Sequence, residues 1–199
     1  MFLKTLLFTG CFFLLSFCYS QTHSVHTFGE PLREEFAMTS YSLDPHAAGV
    51  VLYERGNYTV DAADGYIRLI KEVHRKIKVF DAKNFNYATV EIPYYRENNV
   101  RENIKDLKAL THNGKSKVYV GENAIFDTDE SQHWSLKKFT FANVQDGSIL
   151  EYSYRIETPY FFNFGGWSFM NDLPTVYSEL HTEIPGNYTF NRTLYGDRK

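Results

Sequence analysis

The stretch from Lys137 to Glu157 constrains the fold of this chain most, because apolar and polar residues alternate on both sides of an Asp-Gly pair. After the pair, every second residue is apolar, as in a strand with one buried face: Leu150, Tyr152, Tyr154 and Ile156. Asp146-Gly147 is typical of a tight type I′ turn, in which both central residues need positive φ. We therefore predict a β-hairpin. Its predicted aromatic pairs are Phe141 with Tyr152 and Phe139 with Tyr154.

Similar turn signals recur along the chain and predict further hairpins. Gly56-Asn57 predicts a turn that brings Tyr53 opposite Val60, and Asp64-Gly65 predicts another turn. Asn113-Gly114 predicts a hairpin with apolar cross-strand pairs. These pairs are Ala109 with Val118 and Leu107 with Val120.

Two segments carry signals that modify the predicted strand pattern. The apolar alternation from Tyr66 to Phe80 is long enough that we expect a bulge near Lys71-Glu72 and a strand shared by two sheets. Pro93 cannot donate a ladder hydrogen bond, so it predicts an edge or a strand end. About nine short strands without a helical period predict an all-β fold, an antiparallel β-sandwich. A short N-terminal helix is predicted within residues 31–38, where a proline starts the segment.

Residues 1–20 have the features of a secretory signal peptide. Lys4 supplies the positive charge, an apolar run too short to span a bilayer follows, and small residues precede a predicted cleavage before Gln21. An alternative is a lipoprotein anchored at Cys18, although the large side chain of Phe17 disfavours it. We therefore expect a secreted or periplasmic protein.

Both cysteines of the chain, Cys11 and Cys18, lie inside this segment. The mature chain can therefore form no disulfide and has no thiolate for covalent catalysis. Residues 21–46 are expected to form a lead-in that packs on the domain edge, and residues 47–199 the sandwich domain, which is large enough to be stabilised by its own core.

The charge balance excludes some classes of partner. The net charge of −3 becomes −4 in the mature chain, because the first twenty residues contain one lysine and no acidic residue. A mildly acidic domain has no electrostatic footprint for nucleic acid or for an anionic membrane. No second hydrophobic run is long enough for a transmembrane segment in the mature chain.

Eight short motifs occur in order and are distributed over most of residues 44–195. They are residues 44–48, 50–54, 73–79, 87–95, 104–109, 138–144, 147–152 and 173–179. In this order they resemble the domain of unknown function that precedes a transglutaminase-like domain in secreted or periplasmic proteins of Gram-negative bacteria. The resemblance implies a non-catalytic module. Its implied partner is a downstream domain of the same polypeptide, with a papain-like Cys-His-Asp site. The resemblance implies no cofactor and no catalytic residue in this stretch.

The aromatic stretch 160–169 is the strongest candidate for a binding surface. Its ring-bearing residues are Tyr160, Phe161, Phe162, Phe164, Trp167 and Phe169. If they are exposed, such rings could stack on a carbohydrate or bind a protein partner. The alternative is a loop that folds over the open end of the sandwich or docks a downstream domain.

The titratable residues form no recognisable catalytic or metal site. No nucleophile-elbow sequence occurs, so a hydrolase is the least favoured interpretation. Glu151 and Glu157 are predicted to face outward and to be solvated, and His74 to be a surface residue or cross-strand partner. Two weak metal candidates are His23 with His26, and a loop of acidic residues near a histidine. That loop contains Asp127, Asp129, Glu130 and His133, and we favour a solvated loop without a metal.

Overall fold

The computed structural model describes residues 26–62, 65–160 and 164–187, together with residues 189, 191, 193 and 195. The signal peptide predicted for residues 1–20 lies outside this range. A short helix, α1 (Arg33–Ala37), confirms the predicted N-terminal helix. The strands are β1 (Gly49–Asp61), β2 (Arg68–Val79), β3 (Thr89–Glu97), β4 (Val100–Arg101), β5 (Asn103–Asn113), β6 (Ser116–Tyr119), β7 (Ile125–Asp129), β8 (Trp134–Thr140), β9 (Ile149–Thr158) and β10 (Ser178–Glu183).

The ten strands form two sheets, which confirms the predicted all-β sandwich. The larger sheet has the order β10-β1-β2-β9-β5-β6, and the smaller has the order β4-β3-β8-β7. Neighbouring strands are antiparallel except β1 and β10, which are parallel. No helix in the part of the chain that the structure describes has the length and apolar character needed to cross a bilayer.

The core lies between the two sheets and is rich in aromatic rings. Phe139 and Phe141 come from the side of the small sheet, and Tyr152 comes from β9 of the large sheet. The ring centroid of Tyr152 lies 5.9 Å from that of Phe139 and 6.3 Å from that of Phe141. Edge-to-face and tilted contacts at these distances add to the stability that simple burial provides.

The predicted hairpin across Asp146-Gly147 is wrong, because β8 and β9 belong to different sheets. Gly147 has a φ of +85°, but Asp146 does not have positive φ. The amide of Ser148 donates to the carbonyl of Gln145 at 3.0 Å, so a turn exists without the geometry of type I′. The chain therefore crosses from one sheet to the other. Phe141 and Tyr152 meet across the core instead of across a ladder.

The turn predicted at Gly56-Asn57 is also wrong. β1 continues through both residues for thirteen residues in all. Gly56 lies opposite Val73 of β2 on one side and Leu180 of β10 on the other. Because strands flank it on both sides, the backbone is held extended despite the local turn signal.

The hairpin at Asn113-Gly114 is confirmed, although its register differs by two residues. Asn113 pairs with Ser116, which places Gly114, at φ +59°, first in the two-residue turn. Val120 therefore donates to the carbonyl of Ala109 at 2.9 Å. A shift of two residues keeps the same side chains on the same face of the sheet.

The bulge expected in β2 lies instead in β1, where the register shifts between Val51 and Tyr53. β2 itself pairs without a break and belongs to the large sheet alone, so the strand shared by two sheets is also wrong. Pro93 is confirmed on an edge, because β4 pairs only with Arg96 and Glu97 of β3.

Residues 26–46, which we call the strap, cover the outer face of the large sheet. Phe36, Met38 and Tyr41 of the strap pack there on a small apolar cluster. The residues of that cluster are Val50, Leu52 and Ile149. The prediction that this segment packs on a domain edge is therefore wrong. Strand residues that are apolar on both faces need a cover on both sides of the sheet.

Candidate functional site

Tyr160 contacts other residues of the sandwich than Phe164 and Trp167 do. Its hydroxyl donates to the carbonyl of Val100 at 3.1 Å, and its ring meets Tyr95 edge-on at 5.1 Å. Phe161 and Phe162 lie outside the described residues. The sequence predicts that residues 160–169 form one binding surface. Tyr160, however, packs against residues of the small sheet.

Phe164 and Trp167 pack against the sandwich. Both rings contact Tyr58 of β1, with centroid distances of 6.3 Å for Phe164 and 6.2 Å for Trp167. The indole Nε1 of Trp167 donates to Ser178 Oγ at 3.0 Å. Phe169 is different, since it is 49% exposed. This placement favours a loop that folds over the sandwich.

A buried polar chain continues inward from Trp167. Ser178 Oγ donates to Glu54 Oε1 at 3.0 Å, and Arg75 Nε lies 2.7 Å from Glu54 Oε2. Glu54 is 5% exposed, and a buried charge needs a partner. The guanidinium of Arg75 is that partner. The indole is thus held by a hydrogen bond as well as by ring contacts.

We expect Gly56→Ala to destabilise the protein by about 1–3 kcal/mol, the usual cost of overpacking. A Cβ atom at this position would lie 2.6 Å from Cζ3 of Trp167 and 2.9 Å from Cδ1 of Leu180. Urea unfolding measures the change. Gly186→Ala is the matched control, because nothing lies within 4 Å of its added Cβ. Equal stability of the two variants would contradict the packing of Trp167 on β1.

The outer face of the small sheet carries exposed and half-buried apolar side chains. We call this set the small-sheet aromatic face; it comprises Pro93, Tyr95, Phe126, Trp134 and Leu136. Tyr95 lies opposite Trp134, with ring centroids 5.3 Å apart. Trp134 is 43% exposed and Phe126 is 62% exposed. The hairpin predicted from sequence pairs β8 with β9, and that pairing does not produce this face. Pairing β8 with β3 places Tyr95 and Pro93 beside Trp134 and Leu136.

The acidic residues near His133 form ion pairs, and the prediction that they form a loop is wrong for Asp127 and Asp129, which lie on β7. Asp127 binds Lys137 at 2.9 Å, and Asp129 binds Arg96 at 2.9 Å. Lys138 lies between Glu91 and Glu130, at 3.1 Å and 3.4 Å. Within the described ranges, no group of three or more His, Cys, Asp or Glu residues could hold a metal ion. Lys138 lies on the same face of β8 as Leu136, so its ion pairs border the small-sheet aromatic face. Asp127 and Lys137 lie on the opposite face of the sheet, with Phe139.

Glu151 forms an unexpected buried site on the outer face of the large sheet. Its Oε1 accepts from His74 Nε2 at 2.7 Å, and its Oε2 from His112 Nε2 at 2.7 Å and from the amide of Gly29 at 2.9 Å. The residue has no exposed surface, so the prediction that it is solvated is wrong. Burial opposes ionisation, but the hydrogen bonds from His112, His74 and Gly29 outweigh it and lower the pKa of Glu151 to about 2.

The chemistry of this site is that of a structural ion cluster. A carboxylate with three donors and no exposed surface cannot reach a substrate in this arrangement. His74 is confirmed as a cross-strand partner, since it lies on β2 and bonds to β9. The sequence signal for the cluster was weak. A histidine and a glutamate at outward-facing strand positions are normally solvated. Here they are buried because the strap covers them.

The chain is similar to a known domain family and to part of a larger protein of known structure. A family model for a domain of unknown function with a solved structure, DUF3857, matches residues 68–198. A search of curated protein sequences finds no match. Among solved structures, a protein of Parabacteroides distasonis described as a "putative protease" is 15% identical, with a TM-score of 0.46. The match covers 56% of this chain and 23% of that protein, so this chain spans less than a quarter of its length.

Proposed function

The chain belongs to the DUF3857 family, and on this premise we propose that it is a non-catalytic module that supports or positions a transglutaminase-like domain of the same polypeptide. The sequence resemblance supplies the identity of the partner. The observation that carries the proposal is the small-sheet aromatic face, which offers a surface for that contact.

The composition of this face suits contact with another protein domain. Aromatic residues are enriched at protein interfaces, and exposed contiguous apolar patches commonly mark such interfaces. Trp134 and Tyr95 provide two rings in edge-to-face contact, and the ion pairs of Lys138 provide a polar rim. A buried aromatic centre with a polar rim is the usual arrangement of an interface.

The absence of chemistry in this module is part of the proposal. Cys11 and Cys18 lie in the predicted signal peptide, so a secreted chain would have no thiol nucleophile. The buried carboxylates Glu54 and Glu151 are both engaged in internal hydrogen bonds. Purified residues 21–199 should therefore not turn over peptide or ester substrates, and robust turnover would overturn this part.

We further propose that the protein is secreted or periplasmic. The charged start, short apolar run and small residues before Gln21 support this location. Mass spectrometry of the mature protein should find Gln21 as the first residue. A lipid attached to Cys18 would instead support the lipoprotein alternative.

Trp134→Ala should lower the stability of the longer polypeptide by at least about 2 kcal/mol more than it lowers that of residues 21–199, as expected for a central interface residue. The reason is that the indole is half exposed here and would be buried only against the next domain. Urea unfolding of both proteins measures the difference.

Phe169→Ala is the matched control, because Phe169 is exposed to a similar extent but lies outside the small-sheet aromatic face. Its effect should be the same in both proteins. If Trp134→Ala also acts equally in both, the face does not bind the downstream domain.

The alternative of a carbohydrate- or protein-binding loop at residues 160–169 is tested by sugar titration followed by tryptophan fluorescence. A saturable response that Trp167→Ala abolishes would favour it. Because Trp167 donates to Ser178 and packs on Tyr58, we expect no such response.

A further inference from the structure

The strap is held on the large sheet by polar contacts that converge on a few titratable side chains. Gly29 donates its amide to Glu151, and Glu35 Oε1 accepts from Lys76 Nζ at 2.6 Å. Lys78 Nζ donates to the carbonyl of Phe36 at 3.1 Å. Lys76 has no exposed surface and Lys78 almost none, so the strap itself buries these cations.

His26 makes the contact that is most sensitive to protonation. Lys76 Nζ lies 2.9 Å from His26 Nδ1. An ammonium group can only donate, so Nδ1 must be the acceptor and the ring must be neutral at that nitrogen. Protonation of His26 therefore removes this hydrogen bond and sets two cations side by side.

The other two histidines under the strap behave differently. His74 and His112 each present Nε2 to the carboxylate of Glu151. A protonated imidazole has N–H donors at both nitrogens, so these two bonds survive protonation. His26 is thus the histidine of this interface at which added protons break a strap contact.

The surroundings of His26 determine the direction in which its pKa shifts. Burial and the charge of Lys76 lower the pKa of His26, and the carboxylate of Glu35 partly opposes this. Among the described residues, the titratable groups around its ring include Lys76 and His74 from β2, Glu35 from α1, Glu151 from β9 and Tyr53 from β1, and Arg55 and Glu72 line the same cavity. Its side chain is 16% exposed and lines a cavity of about 270 Å³, so protons can reach it.

The direction in which stability changes with pH follows from the linkage between protonation and folding. A histidine with a lowered pKa in the folded state contributes stability above its ordinary pKa of 6.5, and that contribution is lost as the pH falls through the folded pKa. Glu151 stays ionised over this range, because its pKa is about 2. The response between pH 7.5 and pH 5 therefore belongs to His26 rather than to Glu151.

We propose that residues 26–46 form a pH-sensitive strap, which detaches from the large sheet when His26 is protonated while the sandwich stays folded. The strap lies outside the core between the sheets, and no ladder pairing of β1, β2, β9 or β5 uses it. Detachment uncovers apolar residues of the outer face, among them Val50, Leu52 and Ile149. Mild acidity would thus control access to this face.

Hydrogen exchange of the purified protein at pH 7.5 and pH 5.0, corrected for the intrinsic pH dependence of exchange, tests the proposal. Protection of peptides from the strap should fall at least tenfold at pH 5.0. Protection of β2 and β9 should change less than twofold. A strap that changes less than twofold, or a strap and sheet that open together, would overturn the proposal.

His26→Asn separates protonation from other effects of acid. The asparagine carbonyl can accept from Lys76 and does not titrate, so the strap should stay protected at both pH values. If this variant is unprotected at pH 7.5, His26→Phe takes its place, because a phenyl ring keeps the stacking on Tyr53, at 3.9 Å between centroids in the native protein. His46→Asn, at an exposed strap residue, is the matched control and should keep the tenfold fall. A tenfold fall that persists in a protected His26 variant would overturn the proposal.

Discussion

Phe139→Ala is expected to destabilise the protein by about 3–5 kcal/mol, the usual cost of removing a buried phenyl ring. Phe139 is 2% exposed and meets both Phe141 and Tyr152 edge-on, at 5.5 Å and 5.9 Å between centroids. The loss combines the transfer free energy of the ring with the cavity that it leaves between the sheets. Urea unfolding measures the change.

Phe126→Ala is the matched control for this experiment. Phe126 lies on β7, next to β8, but is 62% exposed. Its replacement should change the free energy of unfolding of residues 21–199 by no more than about 0.5 kcal/mol. Similar losses in the two variants would contradict the division between the inner and outer faces of the small sheet.

A double-mutant cycle with Phe139→Leu and Tyr152→Leu distinguishes the sandwich from the hairpin predicted from sequence. The structure pairs the ring of Phe139 with that of Tyr152, so a coupling free energy of about 0.5–1.5 kcal/mol is expected. The hairpin would instead couple Phe139 with Tyr154. A larger coupling in the Phe139–Tyr154 cycle would show that β8 and β9 pair directly.

Glu151→Ala is expected to destabilise the protein by about 3–5 kcal/mol, as for one partner removed from a buried ion cluster. The substitution leaves His112, which is 1% exposed, and the Gly29 amide without their acceptor. It should also loosen the strap, because Gly29 belongs to it. Urea unfolding and hydrogen exchange of Gly29 measure the two effects.

The same variant should change the acid dependence of stability. The pKa of Glu151 is about 2 in the folded protein and ordinarily 4.5, so its ionisation contributes stability that is present above pH 4.5. That contribution is lost as the pH falls from 4.5 towards 2. Glu151→Ala should therefore lose less stability than the wild type over this interval, as measured by the midpoint of urea unfolding.

Glu157→Ala is the control on the same strand and the same face. The Glu157 side chain keeps 16% of its surface exposed and pairs with Lys105, which is 52% exposed, and pairs with such access to solvent contribute about 0–1 kcal/mol. From sequence, both Glu151 and Glu157 are predicted to face outward and to be solvated. If their replacement has equal effects, the strap does not bury Glu151 in solution.

The faces of the strands were largely predictable. In β9 the alternate residues Tyr152 and Ile156 are buried as expected, and Asn113-Gly114 forms its hairpin with the faces preserved. Alternation has a period of two, so it can be recognised within a few residues. Turn residues act over the same short range, and for this reason Gly114 also has positive φ.

The candidate sites were less predictable, because they depend on which strands lie together. The sequence predicts Trp167 to be a binding residue, but Trp167 packs on Gly56, more than a hundred positions earlier. The small-sheet aromatic face exists only because β3 pairs with β8. Neither contact has a local signal in the sequence.

By itself, the sequence determined that this chain is an all-β sandwich and, in strands such as β9, which residues turn inward. The tertiary structure decided the partners of the strands and the environment of Glu151. The physical reason is that alternation and turn propensity are properties of neighbouring residues. Whether an outward-facing carboxylate is solvated or buried depends on a distant segment, here the strap, that closes over it.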